Sequence, residues 1–153
     1  MTVEDLPLID EHALTIARPR QQVWTALEAF VHRSLLSAAD GAMARLLGTD
    51  PPGGFAVDDV VTGERLDLAG RHRFSVYRLV FRLADASLAD APLAEVPAAD
   101  APATRLSARS YAVFPGVRGA VYETMVIRTR FHVLATRRML RQVRRISLSD
   151  PAG

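Results

Sequence analysis

The sequence predicts an α+β fold: an antiparallel sheet of five to seven strands, two short helices after the first strand, and one long C-terminal helix packed on the sheet. Three observations carry this prediction. From Gly119 to Ser147 (GAVYETMVIRTRFHVLATRRMLRQVRRIS) there is no Pro and no Gly beyond the first residue, and apolar residues recur at helical spacing. Between Phe55 and Phe114, short runs alternate apolar and polar residues and are parted by turn-forming residues. One more alternating run precedes the first helical pattern, so the order is strand, helices, strands, helix.

Leu8 to Ala17 is the first strand, with His12, Leu14 and Ile16 on one face and Glu11, Ala13 and Thr15 on the other. Arg18-Pro19 ends it. Proline suits the first turn of a helix, and Val23, Trp24, Leu27, Phe30 and Val31 follow at three- and four-residue spacing, which predicts a helix from about Pro19 to about Leu36. A second helical piece from about Ser37 to Leu47 stops at Gly48, before the turn Asp50-Pro51-Pro52-Gly53-Gly54.

Phe55 to Val61, Glu64 to Ala69 and His72 to Ala84 are the next strands, joined by turns at Thr62-Gly63 and Gly70-Arg71. In the third of these, Tyr77, Leu79, Phe81 and Leu83 form the face expected to be buried. Asp85 to Ala103 is an Ala/Asp/Pro-rich stretch read as a mobile linker, whose acids Asp85, Asp90, Glu95 and Asp100 either stay solvated or dock on the Arg-rich helix. Thr104 to Phe114 resumes as a strand with Leu106, Ala108, Ser110, Ala112 and Phe114 inward, and Pro115-Gly116 breaks it.

On the terminal helix, a 100° step per residue places Val121, Tyr122, Met125, Thr129, His132, Val133, Thr136, Met139, Leu140 and Val143 on one face. Arg130, Arg137, Arg141 and Arg144 lie opposite. Three polar residues, Thr129, His132 and Thr136, stand in the middle of the apolar stripe.

Length and composition fit a single domain over residues 1–153: the chain has 153 residues and is 49% hydrophobic and 24% charged. No stretch approaches the roughly 18 apolar residues of a membrane span, and the acidic start lacks the features of a signal peptide, so a cytoplasmic protein is expected. All nineteen basic residues are Arg, and Cys and Asn are absent. Schiff-base chemistry, thiol nucleophiles, disulfides and a phosphate-loop lysine are thereby excluded. Residues 1–100 hold 9 Arg against 15 Asp and Glu, whereas residues 101–153 hold 10 against 2. The overall balance of +2 is a weak nucleic-acid signal. The four histidines, at 12, 32, 72 and 132, lack the close spacing of zinc sites; neither a metal nor a cofactor is expected. No nucleophile elbow, phosphate loop or dinucleotide fingerprint is present.

With these elements in place, three stretches bear on family: Ala17-Arg18-Pro19-Arg20-Gln21-Gln22-Val23-Trp24, Gly70-Arg71-His72-Arg73-Phe74, and Gly119-Ala120-Val121-Tyr122 followed by His132 and Arg138-Met139-Leu140. Together with the element order, they make the chain resemble the SRPBCC or START-like helix-grip superfamily from about Leu8 to about Ser147. That superfamily includes polyketide cyclase/dehydrase-like and lipid-transfer-like domains, and the likeness looks greatest to a bacterial subgroup whose members mostly lack an assigned activity. The resemblance implies a curved sheet gripping the terminal helix, with a cavity between them for an apolar or amphipathic ligand. Five or six strands are legible here against seven in the family, with the linker standing where a strand pair would be. The family has no universal catalytic residue, so no catalytic role carries over.

A cavity in that position would take its walls from Tyr77, Phe81, Phe114, Tyr122, Met125 and Met139, and its orienting polar groups from Thr129, His132 and Thr136. His132 is the one candidate for catalysis, as a general base; the alternative is a core histidine bonded to a sheet carbonyl or buried water. Whether turnover occurs is open at this point, and cyclase- or dehydratase-like chemistry is the expectation if it does. Arg71 and His72 are either a solvated hairpin tip or a cationic rim for an anionic ligand group. A reading from another class is a non-catalytic interaction module that engages a protein, nucleic acid or anionic surface. Its contact would be Arg137, Arg138, Arg141, Arg144 and Arg145, or the apolar flank Ile127, Phe131, Leu134 and Ala135, which needs a cover from the second helix or from another subunit in a homodimer.

Overall fold

Alternation in the strands becomes one five-stranded antiparallel sheet in a computed structural model that describes residues 6–36, 49–51, 54–87, 101–115 and 131–149. Its strands are β1 (Leu8–Ile16), β2 (Ala56–Val61), β3 (Arg65–His72), β4 (Ser75–Ala86) and β5 (Ala103–Val113), in the spatial order β1-β5-β4-β3-β2. The helices are α1 (Arg20–Phe30), prolonged by a π-helical turn over Val31–Leu36, and α2 (Phe131–Ser149). This is the expected α+β arrangement of a curved antiparallel sheet with a C-terminal helix. The second helical piece, the centre of the linker and the stretch from Gly116 to Arg130 lie outside the described residues.

Register fixes which side chains meet. Across the sheet, Leu66, Phe81, Ala108 and His12 form one rung, and Leu68, Leu79, Ser110 and Asp10 form the next. These residues share the inner face with Ile16, Leu14, Leu83 and Leu106, and both helices pack there. Ile16, Leu68, Phe81 and Leu106 are fully buried, joined by Val23 and Leu27 of α1 and by Leu140 and Val143 of α2. Burial is therefore set by period two in the strands and by three- and four-residue steps in the helices. Truncating Phe81 would cost about 3–5 kcal/mol by the usual penalty for a large aromatic core cavity.

One boundary departs from expectation. Gly70-Arg71 is not a turn: β3 continues to His72 and the chain reverses at Arg73-Phe74. Gly70 serves packing instead. A Cβ there would collide with the backbone carbonyl oxygen of Gly54 and lie 2.7 and 2.8 Å from ring and hydroxyl atoms of Tyr77, its cross-strand partner, so only glycine lets that backbone and that ring lie over the strand. Gly63, by contrast, sits in the β2–β3 turn at φ +78°, where glycine is favoured for conformation.

The outer face carries charge. Arg65 joins Asp59 and Asp67, Arg78 meets Asp58 at 2.8 Å, and Arg109 meets Glu11 at 3.0 Å. Edge strand β2 is exposed along its whole length, and its Asp58 and Asp59 discourage pairing with another strand. Asp67 is only 2% exposed, and burial raises its pKa despite the nearby Arg65. A raised carboxyl pKa means that ionisation of Asp67 costs stability as pH rises through its folded-state value. Asp67→Asn should therefore melt higher than wild type at pH 7, with the difference vanishing in acid as the wild-type carboxyl becomes neutral; thermal melts from pH 3 to 7 check this.

Candidate functional site

Inner-face residues of β5 shrink along the strand, from Leu106 to Ala108, Ser110 and Ala112. Small side chains cannot fill the gap to α2, and a cleft of about 230 Å³ opens there. Its walls come from both layers: Tyr77, Leu79 and Phe114 from the sheet side, and His132, Thr136 and Met139 from the helix. Five of the residues expected to line a cavity, Tyr77, Phe114, His132, Thr136 and Met139, thus meet around one space. Phe81 does not: it is fully buried in the hydrophobic core, one rung further along the sheet. Tyr122, Met125 and Thr129 lie outside the described residues.

Several polar groups in the cleft already have partners. The Tyr77 hydroxyl donates to the Gly54 carbonyl at 2.6 Å, and the ring packs edge-on against Phe55. Thr136 donates its hydroxyl to the His132 carbonyl at 2.9 Å, a helix-internal bond that satisfies a buried side chain without involving the sheet. His72 Nδ1 accepts from the Phe74 amide at 3.1 Å, which leaves Nε2–H to donate to Ser75 Oγ at 3.0 Å. His72 is therefore a neutral imidazole in the cleft wall, with its pKa lowered by burial, and not a cationic rim. Arg71, the other rim candidate, is held by Asp50 at 2.6 Å.

Sequence reasoning missed Asp10 and the partnership of His12. From Asp10 to Ile16 β1 pairs with β5 in regular register, after a bulge between Leu8 and Asp10, so alternation puts Asp10, His12 and Leu14 on the face toward the helix. Asp10 Oδ2 lies 3.3 Å from His12 Nε2 and 3.4 Å from His132 Nε2, joining strand and helix through one carboxylate. All three side chains are largely buried, at 12%, 18% and 19% exposure respectively. The spacing Asp10-x-His12 on a strand was the available signal, since residues two apart share a face. Among the described residues no group of three or more His, Asp or Glu is arranged to hold a metal ion.

On its far side, His12 borders a second cleft with Leu14, Arg137, Leu140 and Arg141. Arg137, Arg138, Arg141 and Arg145 are exposed, and no carboxylate among the described residues lies within ion-pair distance of them. Leu134 is 60% exposed on the flank patch, whereas Ala135 beside it turns into the main cleft.

A two-layer α+β protein with an apolar cleft between sheet and terminal helix is thus the class that the fold defines. No family model and no curated protein sequence matches the chain. Among solved structures, a conserved protein from Geobacillus kaustophilus is similar at 11% identity and a TM-score of 0.46, over 90% of this chain and 93% of that one. A protein from Chromobacterium violaceum is similar at 14% identity and 0.47, over 92% and 97%. At these scores neither likeness assigns a family or an activity. Among the described residues no helix is long and apolar enough to cross a membrane.

The His72 geometry makes stability depend on pH with a definite sign. Protonation at Nδ1 would set an N–H against the Phe74 amide, and burial also favours the neutral ring. A lowered folded-state pKa gives stability that is complete above the ordinary histidine value of about 6.5 and lost as pH falls below it. Comparing melts of wild type and His72→Gln, the wild-type advantage should be greatest near pH 8 and shrink toward pH 5.

Proposed function

We propose that this protein binds a small apolar or amphipathic molecule in the cleft between sheet and C-terminal helix. The observation that carries the reading is the two-sided wall: apolar groups from β4, β5 and α2 surround the space, while polar groups gather where α2 meets β1. Such a division lets an apolar body bury while one end is oriented by hydrogen bonds. At about 230 Å³ the cleft is smaller than the roughly 300–1,000 Å³ of drug-sized pockets, which favours a ligand of one or two rings over a full-length lipid. The START-like resemblance implies the same location for a ligand. Native mass spectrometry of freshly purified protein tests the reading: a retained small molecule is expected in wild type and not in Ala135→Trp, whose indole would fill the cleft. A bare wild-type chain that also shows no saturable shift of Tyr77, Phe114 and Met139 signals on titration with 1-tetralone would refute it.

A second reading rests on the four arginines with no carboxylate within ion-pair distance among the described residues, which favour contact between the exposed side of α2 and an anionic surface. Retention on an anionic resin should then fall when Arg137, Arg141 and Arg145 are replaced together by Gln. Unchanged retention would remove the basis for this reading.

A further inference from the structure

β1 is an end strand: β5 pairs with one side of it, and among the described residues no strand pairs with the other. In an antiparallel pair every second residue of an end strand turns its N–H and C=O away from its neighbour, so β1 offers backbone donors and acceptors along its outer edge. The two ends of the sheet treat this liability differently. β2 carries Asp58 and Asp59, whereas residues 12–16 of β1 include no acid, arginine or proline. The accessible stretch is residues 11–14, none of them buried, and it closes at Thr15, which is. The cleft of about 340 Å³ on the far side of His12 lies along this stretch. Consecutive strand residues point to opposite faces, yet His12, Ala13 and Leu14 all border it, so the cleft reaches the backbone and not one face alone. Its other wall is α2, through Arg137, Leu140 and Arg141. Helix and strand run alongside each other: Asp10 meets His132, and further on His12, Ala13 and Leu14 face Arg137 and Arg141. The steps from 10 to 13 on the strand and from 132 to 139 on the helix each advance about 10 Å.

We propose that this cleft binds an extended acidic peptide segment of another protein, which adds to the edge of β1 as a further strand and sets two acidic side chains, two residues apart, against Arg137 and Arg141. The inference rests on the anionic-contact reading above and names its partner. An unpaired strand edge beside a helix is a setting in which a peptide can extend a sheet, its backbone bonds supplying affinity and its side chains the choice of partner. Charge selects the occupant. Both arginines are exposed, no carboxylate among the described residues is within ion-pair distance of them, and Arg141 commits only its Nε, to the Arg137 carbonyl at 3.3 Å. Spacing selects the pattern: residues four apart on a helix rise about 6 Å and residues two apart on a strand about 6.7 Å, so both ion pairs can form at once. The intervening residues of the segment stand beside Glu11 and Ala13 on the outer face, where a further acid would be repelled.

Fluorescence anisotropy with a fluorescein-labelled peptide of sequence TVEVEVT tests this, beside two further probes methylated on the backbone nitrogens either of the Glu or of the Val residues. Methylation removes hydrogen-bond donors and leaves the charge unchanged. Wild type should bind the plain peptide saturably, and the double variant Arg137→Gln/Arg141→Gln about tenfold more weakly, as expected for the loss of two exposed ion pairs. Only one methylated probe should lose binding, because alternate amides of an added strand face its neighbour. The plain peptide should also slow amide hydrogen exchange in residues 11–14 and leave β2 unchanged. Equal binding of all three probes would overturn strand addition and leave the anionic-contact reading standing. A peptide that does not bind, beside resin retention that still depends on Arg137, Arg141 and Arg145, would do the same. No peptide binding together with arginine-independent retention would remove both. Binding that ignores the arginine substitutions, or that protects β2 in place of β1, would overturn the assignment to this cleft.

Discussion

Everything in this fold depends on the inner face of β5. That strand is paired on both sides, by β1 and by β4, so its side chains lie beneath the helices with no route to solvent around an edge. Its gradient from Leu106 to Ala108, Ser110 and Ala112 divides the molecule. Where the residue is large, sheet and helix meet in a dry core with Phe81, Leu140 and Val143. Where the residues are small, the same two layers stand apart. One strand thus sets both how firmly the layers adhere and where they fail to touch.

The two ends answer to different physics. In the core, apolar area removed from water supplies the stabilisation, at about 25 cal/mol per Å². At the open end, polar groups must be satisfied one by one, and several are: Tyr77 by Gly54, His72 by Phe74 and Ser75, Thr136 by its own helix. Asp10 is handled differently, by two rings that share a single oxygen at distances longer than those bonds. Such a group has an orientation fixed by packing and an interaction still able to tighten.

Legibility in the sequence followed the range of the interactions. Period-two alternation in β1, β4 and β5 and the helical steps Val23, Leu27 and Leu140, Val143 are local, and they located nearly all the described elements. The inward position of Thr136, His132 and Met139 followed from the same spacing. Gly70 misled because glycine marks a turn as readily as a close approach, and the Tyr77 ring that requires it is a cross-strand neighbour. Phe81 was placed in the cleft because alternation gives a face but not a position along it. The Asp10, His12 and His132 cluster was the least legible. Its strand half follows from two-residue spacing, but its third member needs the docking of a helix more than a hundred residues away, which leaves no local pattern.

The β1 bulge has a consequence for tolerance to change. In a strand, parity decides which side of the sheet each residue serves, and here one extra residue between Leu8 and Asp10 is taken up at the very start of the edge strand. A single-codon deletion at Ile9 would remove the bulge and leave every pair from Leu8↔Tyr111 to Ile16↔Thr104 in register, with Asp10, His12, Leu14 and Ile16 still inward. The seam between β1 and α2 is therefore insulated from changes in length at the outer end of its strand.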